Sequence, residues 1–378
     1  MTLDLAREFP LDPELSYLNH AAIGVWPRRA ADAVKAFAEE NATLGAANWL
    51  AWFEIEKRIR QRFADLVNAS SANDIALLKN TSEALSVVAR GLPWRSGDNV
   101  VLAAQEFPSN RMPWQSLGEF GVEARVVDIA SEPDPEAALI AATDARTRVL
   151  TTSSVHYGDG LRMDLARLGE HCRANGIRFC VDAIQSLGAL PLDARACQAD
   201  YVMADGHKWL LGPEAVTVFY TRPEIRDELR LNQFGWRMVE HPFEMEGDVN
   251  APSSSARRFE AGSVNTLGIV AQEASLSLLQ EVGIEQAAGK VLAHRDYLAD
   301  GLGAIPGVEL VSRNEPERRS GIVTFRVRGA DTAALSRHLF HHRVICARRG
   351  GGIRLAPHFY TPRPALDRAL EVIGDFAG

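Results

Sequence analysis

Short apolar runs alternate with amphipathic stretches from about residue 73 onward. The amphipathic stretches include 82–90 and 165–175, and Gly176 follows the second as a C-terminal cap. This alternation predicts βαβ units and an α/β fold with a seven-stranded, mainly parallel sheet. The seven predicted strands cover residues 75–79, 100–104, 124–128, 149–153, 177–182, 201–205 and 216–220.

The chain is too long for one core. It has 378 residues, whereas single cores stop growing at about 250–300 residues. Residues 240–255 contain Pro242, Gly247 and Pro252, which predicts a loop at a domain boundary. We therefore expect an N-terminal arm over residues 1–19, a large domain over 20–255 and a small α+β domain over 256–378 that opens with a helix near 270–281.

Charge and composition favour a small-molecule role. The net charge is -8 and the basic residues are scattered, which argues against nucleic-acid binding. No window of about 18 residues is continuously apolar, so we expect no membrane span. The four cysteines form no CxxC pair, so neither a disulfide framework nor a metal site is expected. These features favour a cytoplasmic protein.

The candidate chemistry comes from polar residues that end predicted strands, because ligands of parallel sheets bind at the carboxyl ends of strands. Asp182 ends one run, and Lys208 lies in a turn after the next. A pyridoxal-phosphate site needs a lysine to form an imine and a carboxylate to keep the ring nitrogen protonated. Gln185 can donate to the phenolic oxygen of such a cofactor. Taken singly, Asp182 could be only a helix cap and Lys208 a solvated surface charge.

A second feature suits the phosphate of that cofactor. Thr81 and Ser82 follow Asn80 between a predicted strand and a helix. Free N–H groups and the helix dipole favour an anion at such a position. A plain N-cap gives the same pattern, and both roles can coexist.

Several segments, in this order along the chain, resemble the class V aminotransferases of pyridoxal-phosphate fold type I, including cysteine desulfurases, kynureninase and isopenicillin N epimerase-like proteins. They are residues 181–186, 205–208 and 259–263. The likeness extends from residues 17–22 to residues 354–360 and so spans nearly the whole chain.

The resemblance implies pyridoxal 5'-phosphate (PLP) as cofactor, an amino acid as substrate and a homodimer with shared sites. Lys208 is then the imine lysine and proton shuttle, and Asp182 the partner of the ring nitrogen. Arg354 holds the substrate α-carboxylate, a task suited to its bidentate fork. Ser263 reaches the phosphate in the partner's site. The other implied contacts are Thr81, Ser82, Phe107, Gln185, Asp205, His207 and Trp236 for the cofactor, and Asn19 and His20 for the substrate.

The chain departs from the desulfurase pattern at two places and from the pattern of many family members at a third. Phe107 stands where desulfurases stack a histidine, and a phenyl ring cannot exchange protons. Cys346 lies eight residues before Arg354 in an apolar run, which predicts a buried strand thiol and not a persulfide-forming nucleophile. Asp205 stands where many relatives have Ser or Thr, so it is expected to turn from the phosphate or pair with another group.

Trp236 follows Gly235, as in kynureninase, where such a tryptophan lies near the phosphate. A buried core aromatic is the alternative.

The expected function is aminotransferase-type chemistry at the Cα of an amino acid. A cysteine or C–S lyase, a desulfurase-like enzyme and an amino-acid epimerase remain alternatives. A non-catalytic α/β binding protein is the alternative outside this class, but no GxGxxG motif opens a helix after an early strand.

Overall fold

The computed structural model describes residues 3–244 and 251–378, so part of the predicted loop at 240–255 lies outside the described residues. The strands are β1 (Ser16–Tyr17), β2 (Ile75–Leu78), β3 (Asn99–Ala103), β4 (Glu123–Val127), β5 (Thr147–Ser153), β6 (Arg178–Asp182), β7 (Tyr201–Asp205), β8 (Thr217–Thr221), β9 (Val308–Leu310), β10 (Val323–Val327), β11 (Val344–Ile345), β12 (Ala347–Arg349) and β13 (Gly352–Leu355).

The α-helices of the described residues are α1 (Leu5–Glu8), α2 (Arg28–Leu44), α3 (Trp49–Val67), α4 (Thr81–Gly91), α5 (Met112–Gln115), α6 (Pro135–Ala141), α7 (Leu165–Ala174), α8 (Thr266–Val282), α9 (Ile284–Ala304), α10 (Thr332–His341) and α11 (Arg363–Ala377). The predicted cap is confirmed: Gly176 has a φ of 67° after α7, a conformation that favours glycine. None of the helices in the described residues is long and apolar enough to span a membrane.

The seven predicted strands form one sheet in the order β2-β8-β7-β6-β5-β3-β4. Only β8 runs antiparallel to its neighbours, so the mainly parallel sheet is confirmed. Residues of one strand alternate between two apolar clusters, as Val100 and Val101 do in β3. The inner strands of the sheet are thus buried on both faces, which explains their largely apolar sequences, whereas the edge strand β4 is only partly buried.

A smaller antiparallel sheet, β12-β13-β10-β9, forms the C-terminal unit. The N-terminal arm joins this unit, because β1 pairs with β11 and Leu18 lies in its apolar cluster.

The domain bounds stay a prediction, and the packing suggests a different division. Helix α8 lies in the core of the large sheet through Ile269, Leu276 and Leu279. The C-terminal cluster includes α9 only from Leu298 onward. We propose that the C-terminal unit begins within α9.

Candidate active site

The carboxyl ends of β6 and β7 open into a cavity of about 260 Å³. Strand register aligns these ends, since Asp182 of β6 pairs with Met203 of β7 and with Ser153 of β5. The polar residues that end the strands therefore meet at one edge of the sheet. The sequence-predicted residues that line the cavity are Thr81, Ser82, Phe107, Asp182, Gln185, Asp205, His207, Lys208 and Arg354.

Lys208 and Asp182 form the chemical centre of this cavity. Burial raises the pKa of the Asp182 carboxyl to about 7, and the charge of Glu106 adds to the effect. Lys208 and a hydrogen bond from the Ile184 N–H, 3.0 Å from Asp182 Oδ1, oppose that rise. Burial lowers the pKa of the Lys208 ammonium to about 8. A lysine that loses its proton near neutral pH can act as nucleophile or base.

The backbone around Lys208 is tightly held. Gly24 donates its N–H to the His207 carbonyl oxygen at 2.6 Å. A Cβ on Gly24 would lie 2.1 Å from the Lys208 carbonyl oxygen, so only glycine fits there. On the other side, His358 Nε2 lies 3.0 Å from the Trp209 carbonyl oxygen. The lysine thus projects from a fixed turn.

Gln185 is oriented by two hydrogen bonds. Its Oε1 accepts from the indole N–H of Trp209 at 3.0 Å, and its Nε2 donates to the Ala21 carbonyl oxygen at 3.0 Å. Because an amide NH₂ has two donors, one N–H remains for a group in the cavity. The orientation suits donation to a bound oxygen.

The N-terminus of α4 closes another side. The Asn80 side chain caps the helix by accepting from the Glu83 N–H at 2.8 Å. The N–H groups of Thr81 and Ser82 precede the first intrahelical hydrogen bonds and stay available to an anion. The Ser82 hydroxyl lies 2.8 Å from the Ser109 hydroxyl, which also lines the cavity.

Asp205 pairs with a neighbour, as expected. Its Oδ2 lies 3.0 Å from His207 Nδ1, and its Oδ1 accepts from the Gly206 N–H at 2.8 Å. The Asp205 carboxylate is thus occupied by groups of its own turn.

Arg354 reaches the cavity from β13 of the C-terminal unit. It is buried, which lowers the pKa of its guanidinium to about 10. Its Nη1 donates to the Tyr157 carbonyl oxygen at 2.6 Å, while its Nε has no hydrogen-bond partner in the described part of the chain. An unpaired buried N–H beside a fixed one suits a carboxylate ligand.

Phe107 provides the aromatic wall. Its ring centroid lies 5.7 Å from Lys208 Nζ and 5.1 Å from the centroid of the Tyr157 ring. The Phe107 side chain is partly exposed, so it can cover a planar ligand.

Four predicted residues are not brought to the cavity. His20 is buried and its nitrogens lie 2.8 Å from the Ala356 carbonyl oxygen and 2.6 Å from the Tyr360 hydroxyl. Burial lowers the pKa of His20 to about 4, which fits a structural histidine better than a substrate contact. Asn19 forms a parallel β-bridge with Ala356 and does not line the cavity. Trp236 and Ser263 lie elsewhere on the surface, where Trp236 is 41% exposed and so is not a core aromatic.

The structure also corrects the expectation for Cys346 and adds residues that the sequence did not single out. Cys346 is half-buried between β11 and β12, not fully buried within one strand. Tyr157 and Arg349 line the cavity. Tyr157 lies shortly after the end of β5, so the expectation that ligands bind at the carboxyl ends of strands could have identified it. Arg349 reaches the cavity because the β12–β13 hairpin places it there, and no local sequence pattern indicates that contact.

Comparison with known proteins gives a consistent picture. The family model described as Aminotransferase class-V matches residues 16–358. A probable cysteine desulfurase of Methanothermobacter thermautotrophicus is 29% identical over 100% of this chain and 98% of its own length. Isopenicillin N epimerase of Streptomyces clavuligerus is 29% identical over 97% of this chain and 96% of its own length.

The solved structures include the cystine C–S lyase C-DES in complex with cysteine persulfide. That structure has a TM-score of 0.91 and 26% identity, and the match covers 98% of this chain and 100% of C-DES. A C-DES mutant has glycine covalently linked to its PLP cofactor; it matches with a TM-score of 0.92 and 25% identity over 99% of this chain and 100% of that chain.

Proposed function

This chain belongs to the class-V aminotransferase family, and we propose that it is a PLP-dependent enzyme that takes the Cα proton from an amino acid and releases a sulfur-containing group from its β-carbon. The coarser part of this statement, an enzyme of PLP class V, follows from the family and from the PLP-bound structures. The assignment of residue roles and of the elimination outcome is our proposal.

The residues of the cavity fit PLP. Lys208 has the lowered pKa that an imine-forming amine requires, and Asp182 is a buried carboxylate within the electrostatic reach of Lys208. The α4 N-terminus with Thr81 and Ser82 suits the phosphate. When bound, PLP acts as an electron sink that stabilises negative charge at the substrate Cα.

Arg354 and Lys208 act on different parts of the substrate, its α-carboxylate and its Cα proton. Arg354 binds the α-carboxylate through its free Nε–H while the bond to the Tyr157 carbonyl fixes the guanidinium plane. The Lys208 amine, which would hold PLP, is also the group placed to take the Cα proton when it is free. Asp182 keeps the ring nitrogen protonated, and Phe107 covers one face and excludes water from it.

One observation favours elimination without a protein thiol. No cysteine lines the cavity in the described residues, and Cys346 has a pKa raised to about 12 by burial. A sulfur atom that leaves Cβ therefore departs with the small molecule when the Cβ–S bond breaks. The whole-chain similarity to a cystine C–S lyase supports the same outcome.

Transamination, the outcome expected from the sequence, is the second candidate. Lys208 projects from a fixed turn into the cavity, and the same amine that takes a proton from Cα can return it elsewhere. Return of that proton to the cofactor carbon C4′ would give a keto acid and require an amino acceptor. Return to Cα would give epimerisation, the activity named for one relative.

The test is to incubate PLP-loaded protein with a panel of amino acids that includes cystine and cysteine. A C–S lyase releases keto acid, ammonia and a sulfur product without any acceptor. An aminotransferase forms keto acid only when an acceptor keto acid is added, and an epimerase changes only the stereochemistry. Acceptor-dependent turnover with no sulfur release would contradict the proposed elimination.

We also propose a homodimer. An exposed aromatic cluster formed by Trp49, Trp236 and Phe243 lies on the surface, with ring centroids 5.8 Å apart for both Trp49–Phe243 and Trp236–Phe243. Their side chains are 41%, 41% and 52% exposed, an apolar patch that a second copy would cover. Ser263 is exposed outside its own cavity, as a residue serving the partner's site would be.

A further inference from the structure

Two buried ionisable side chains near Asp182 have no role in the chemistry above. Glu106 follows β3 and His156 follows β5, and both residues are at most 3% exposed. Neither lines the cavity, so neither can touch the substrate or the cofactor directly. An electrostatic effect on Asp182 is one route by which they can act on the reaction.

Glu106 is held by three hydrogen bonds. Its Oε1 accepts from the Ser153 N–H at 2.7 Å, and its Oε2 accepts from the Ser153 hydroxyl and from Asn110 Nδ2 at 2.9 Å. The Asn110 amide is fixed in this orientation, because its Oδ1 accepts from Trp114 Nε1 at 3.0 Å and from the Thr151 hydroxyl at 2.8 Å. A carboxylate has about four acceptor sites, so the unfilled one is on Oε1.

His156 lies opposite that free site. Its Nε2 is 3.8 Å from Glu106 Oε1, and neither of its ring nitrogens has a hydrogen-bond partner among residues 3–244 and 251–378. An imidazole always carries at least one N–H, and a buried N–H without an acceptor is costly. Within the same residues, Glu106 is the only carboxylate within 4.0 Å of a His156 nitrogen. Glu106 Oε1 is thus the carboxylate oxygen placed to accept from a proton-bearing nitrogen of His156.

Glu106 acts on Asp182 electrostatically. Ser153, which donates twice to Glu106, pairs with Asp182 across β5 and β6. The charge of Glu106 raises the pKa of Asp182, while that of Lys208 lowers it. The other titratable neighbour is the Cys180 thiol, whose pKa burial raises far above its usual range, so that it stays neutral.

We propose that His156 and Glu106 form a positioning pair, in which a proton on His156 balances Glu106 and so keeps Asp182 ionised opposite the cofactor's ring nitrogen. The inference rests on the role given to Asp182 in the proposed function, but not on which reaction follows.

The pair determines whether one proton lies on the cofactor's ring nitrogen or on Asp182. If Glu106 stays charged and His156 cannot, two carboxylates repel each other in a buried region. Asp182 then relieves the repulsion by taking the proton that otherwise sits on the ring nitrogen. Removing both charges abolishes the repulsion and returns the proton to the ring.

The experiment is ¹⁵N NMR of protein loaded with PLP labelled at the ring nitrogen, at neutral pH and without substrate. The variants are His156→Phe, the double variant Glu106→Gln/His156→Phe, and Asp182→Asn as a control. We expect the ratio of protonated to neutral ring nitrogen to fall about tenfold in His156→Phe, equivalent to one pKa unit, and to recover in the double variant. Damage from a merely structural role would add up in the double variant and not reverse.

A ring signal that is unchanged in His156→Phe, or that fails to recover in the double variant, overturns the pair, provided that Asp182→Asn moves the signal. If Asp182→Asn also leaves the signal unchanged, the assignment of Asp182 to the ring nitrogen fails as well. Should His156→Phe not retain PLP, His156→Gln, which keeps a polar side chain without the charge, takes its place in both the single and the double variant.

Discussion

Arg354 and Tyr157 are joined by a hydrogen bond of 2.6 Å from the guanidinium Nη1 to the backbone carbonyl oxygen. The bond links β13 of the C-terminal unit to the segment that follows β5 of the large sheet. It fixes one edge of the guanidinium and leaves Nε, which has no partner in the described residues, for a ligand. A substrate carboxylate bound at Nε, as we propose, would be held across the junction of the two units.

Arg354→Lys should lower kcat/KM for amino acids about 10- to 100-fold, mainly through KM. Lysine keeps the charge but cannot bond Tyr157 and the carboxylate together in one plane, and a hydrogen bond to a charged group contributes roughly 1.5–3 kcal/mol. Steady-state kinetics give the measurement. Arg348→Lys is the matched control, because Arg348 is exposed in the same hairpin and does not line the cavity. Equal losses in both variants would place the carboxylate site elsewhere.

Loading of the apoenzyme with PLP should become faster as pH rises through about 8 and then level off. Only the neutral amine of Lys208 attacks the cofactor carbonyl, and burial lowers the pKa of this ammonium to about 8. Below that pH the neutral fraction falls about tenfold per unit. Stopped-flow absorbance measures the rate at each pH. A rate that keeps rising to pH 10 would indicate an ordinary exposed lysine.

Lys208→Ala should abolish the covalent bond to PLP and all turnover. Borohydride reduction followed by peptide mapping should label Lys208 in the wild type and no peptide in the variant. Lys290→Ala, at an exposed position on α9, is the control and should behave as wild type. A label on another lysine would refute the assignment.

Asp182→Asn should retain PLP but slow Cα–H exchange with solvent deuterium by at least about 10²-fold. The amide cannot hold the ring nitrogen in its protonated form, and loss of an electrostatic contribution made mainly in the transition state has effects of this size. Exchange is followed by proton NMR. Exchange at the wild-type rate would show that Asp182 does not support an electron-sink role of the cofactor ring.

The parts of the site that the sequence predicted are those attached to strand ends. Asp182 and Asp205 are the last residues of β6 and β7, and parallel strands bring their carboxyl ends to one edge. What the sequence could not supply depends on contacts between distant segments. The histidine after β1 looked like a substrate ligand, but the return of the chain beside β1 supplies Ala356 and Tyr360, which occupy both of its nitrogens.

The sequence also did not predict which core helix α8 packs against. The loop at 240–255 marked a boundary by composition, yet α8 beyond it packs against α2, α3 and the core of the large sheet. Periodicity shows that a helix has an apolar face, but not which core receives it.

The proposed homodimer predicts complementation between inactive subunits. Ser263 should serve the partner's phosphate, so Ser263→Asp, which places a negative charge beside that phosphate, should weaken PLP retention in every site of its own dimer. When Ser263→Asp subunits are mixed with Lys208→Ala subunits, the heterodimers should have one intact site. That site combines Lys208 of the Ser263→Asp subunit with Ser263 of the Lys208→Ala subunit. Recovery of activity on mixing, with light scattering as the check of mass, is the expected result. A monomeric protein, or no recovery despite exchanged subunits, would refute shared sites.

Sulfide release from cysteine should not depend on Cys346 if, as we propose, this residue is not a persulfide-forming nucleophile. Burial raises the pKa of its thiol to about 12 even though Arg354 acts in the opposite direction, so the reactive thiolate is scarce at neutral pH. Cys346 packs against the C-terminal core and does not line the cavity, and Phe107 supplies no acid–base group over the ring. Two requirements of a desulfurase, a reactive thiolate and an acid–base group over the ring, are therefore both unmet.

The measurement compares sulfide release in the presence of a reductant for the wild type, Cys346→Ala and Cys172→Ala, a control at a buried thiol remote from the cavity. Equal sulfide in all three is expected of a C–S lyase. Loss of sulfide in Cys346→Ala alone, with PLP loading and thermal stability retained, would make Cys346 a nucleophile and the enzyme a desulfurase.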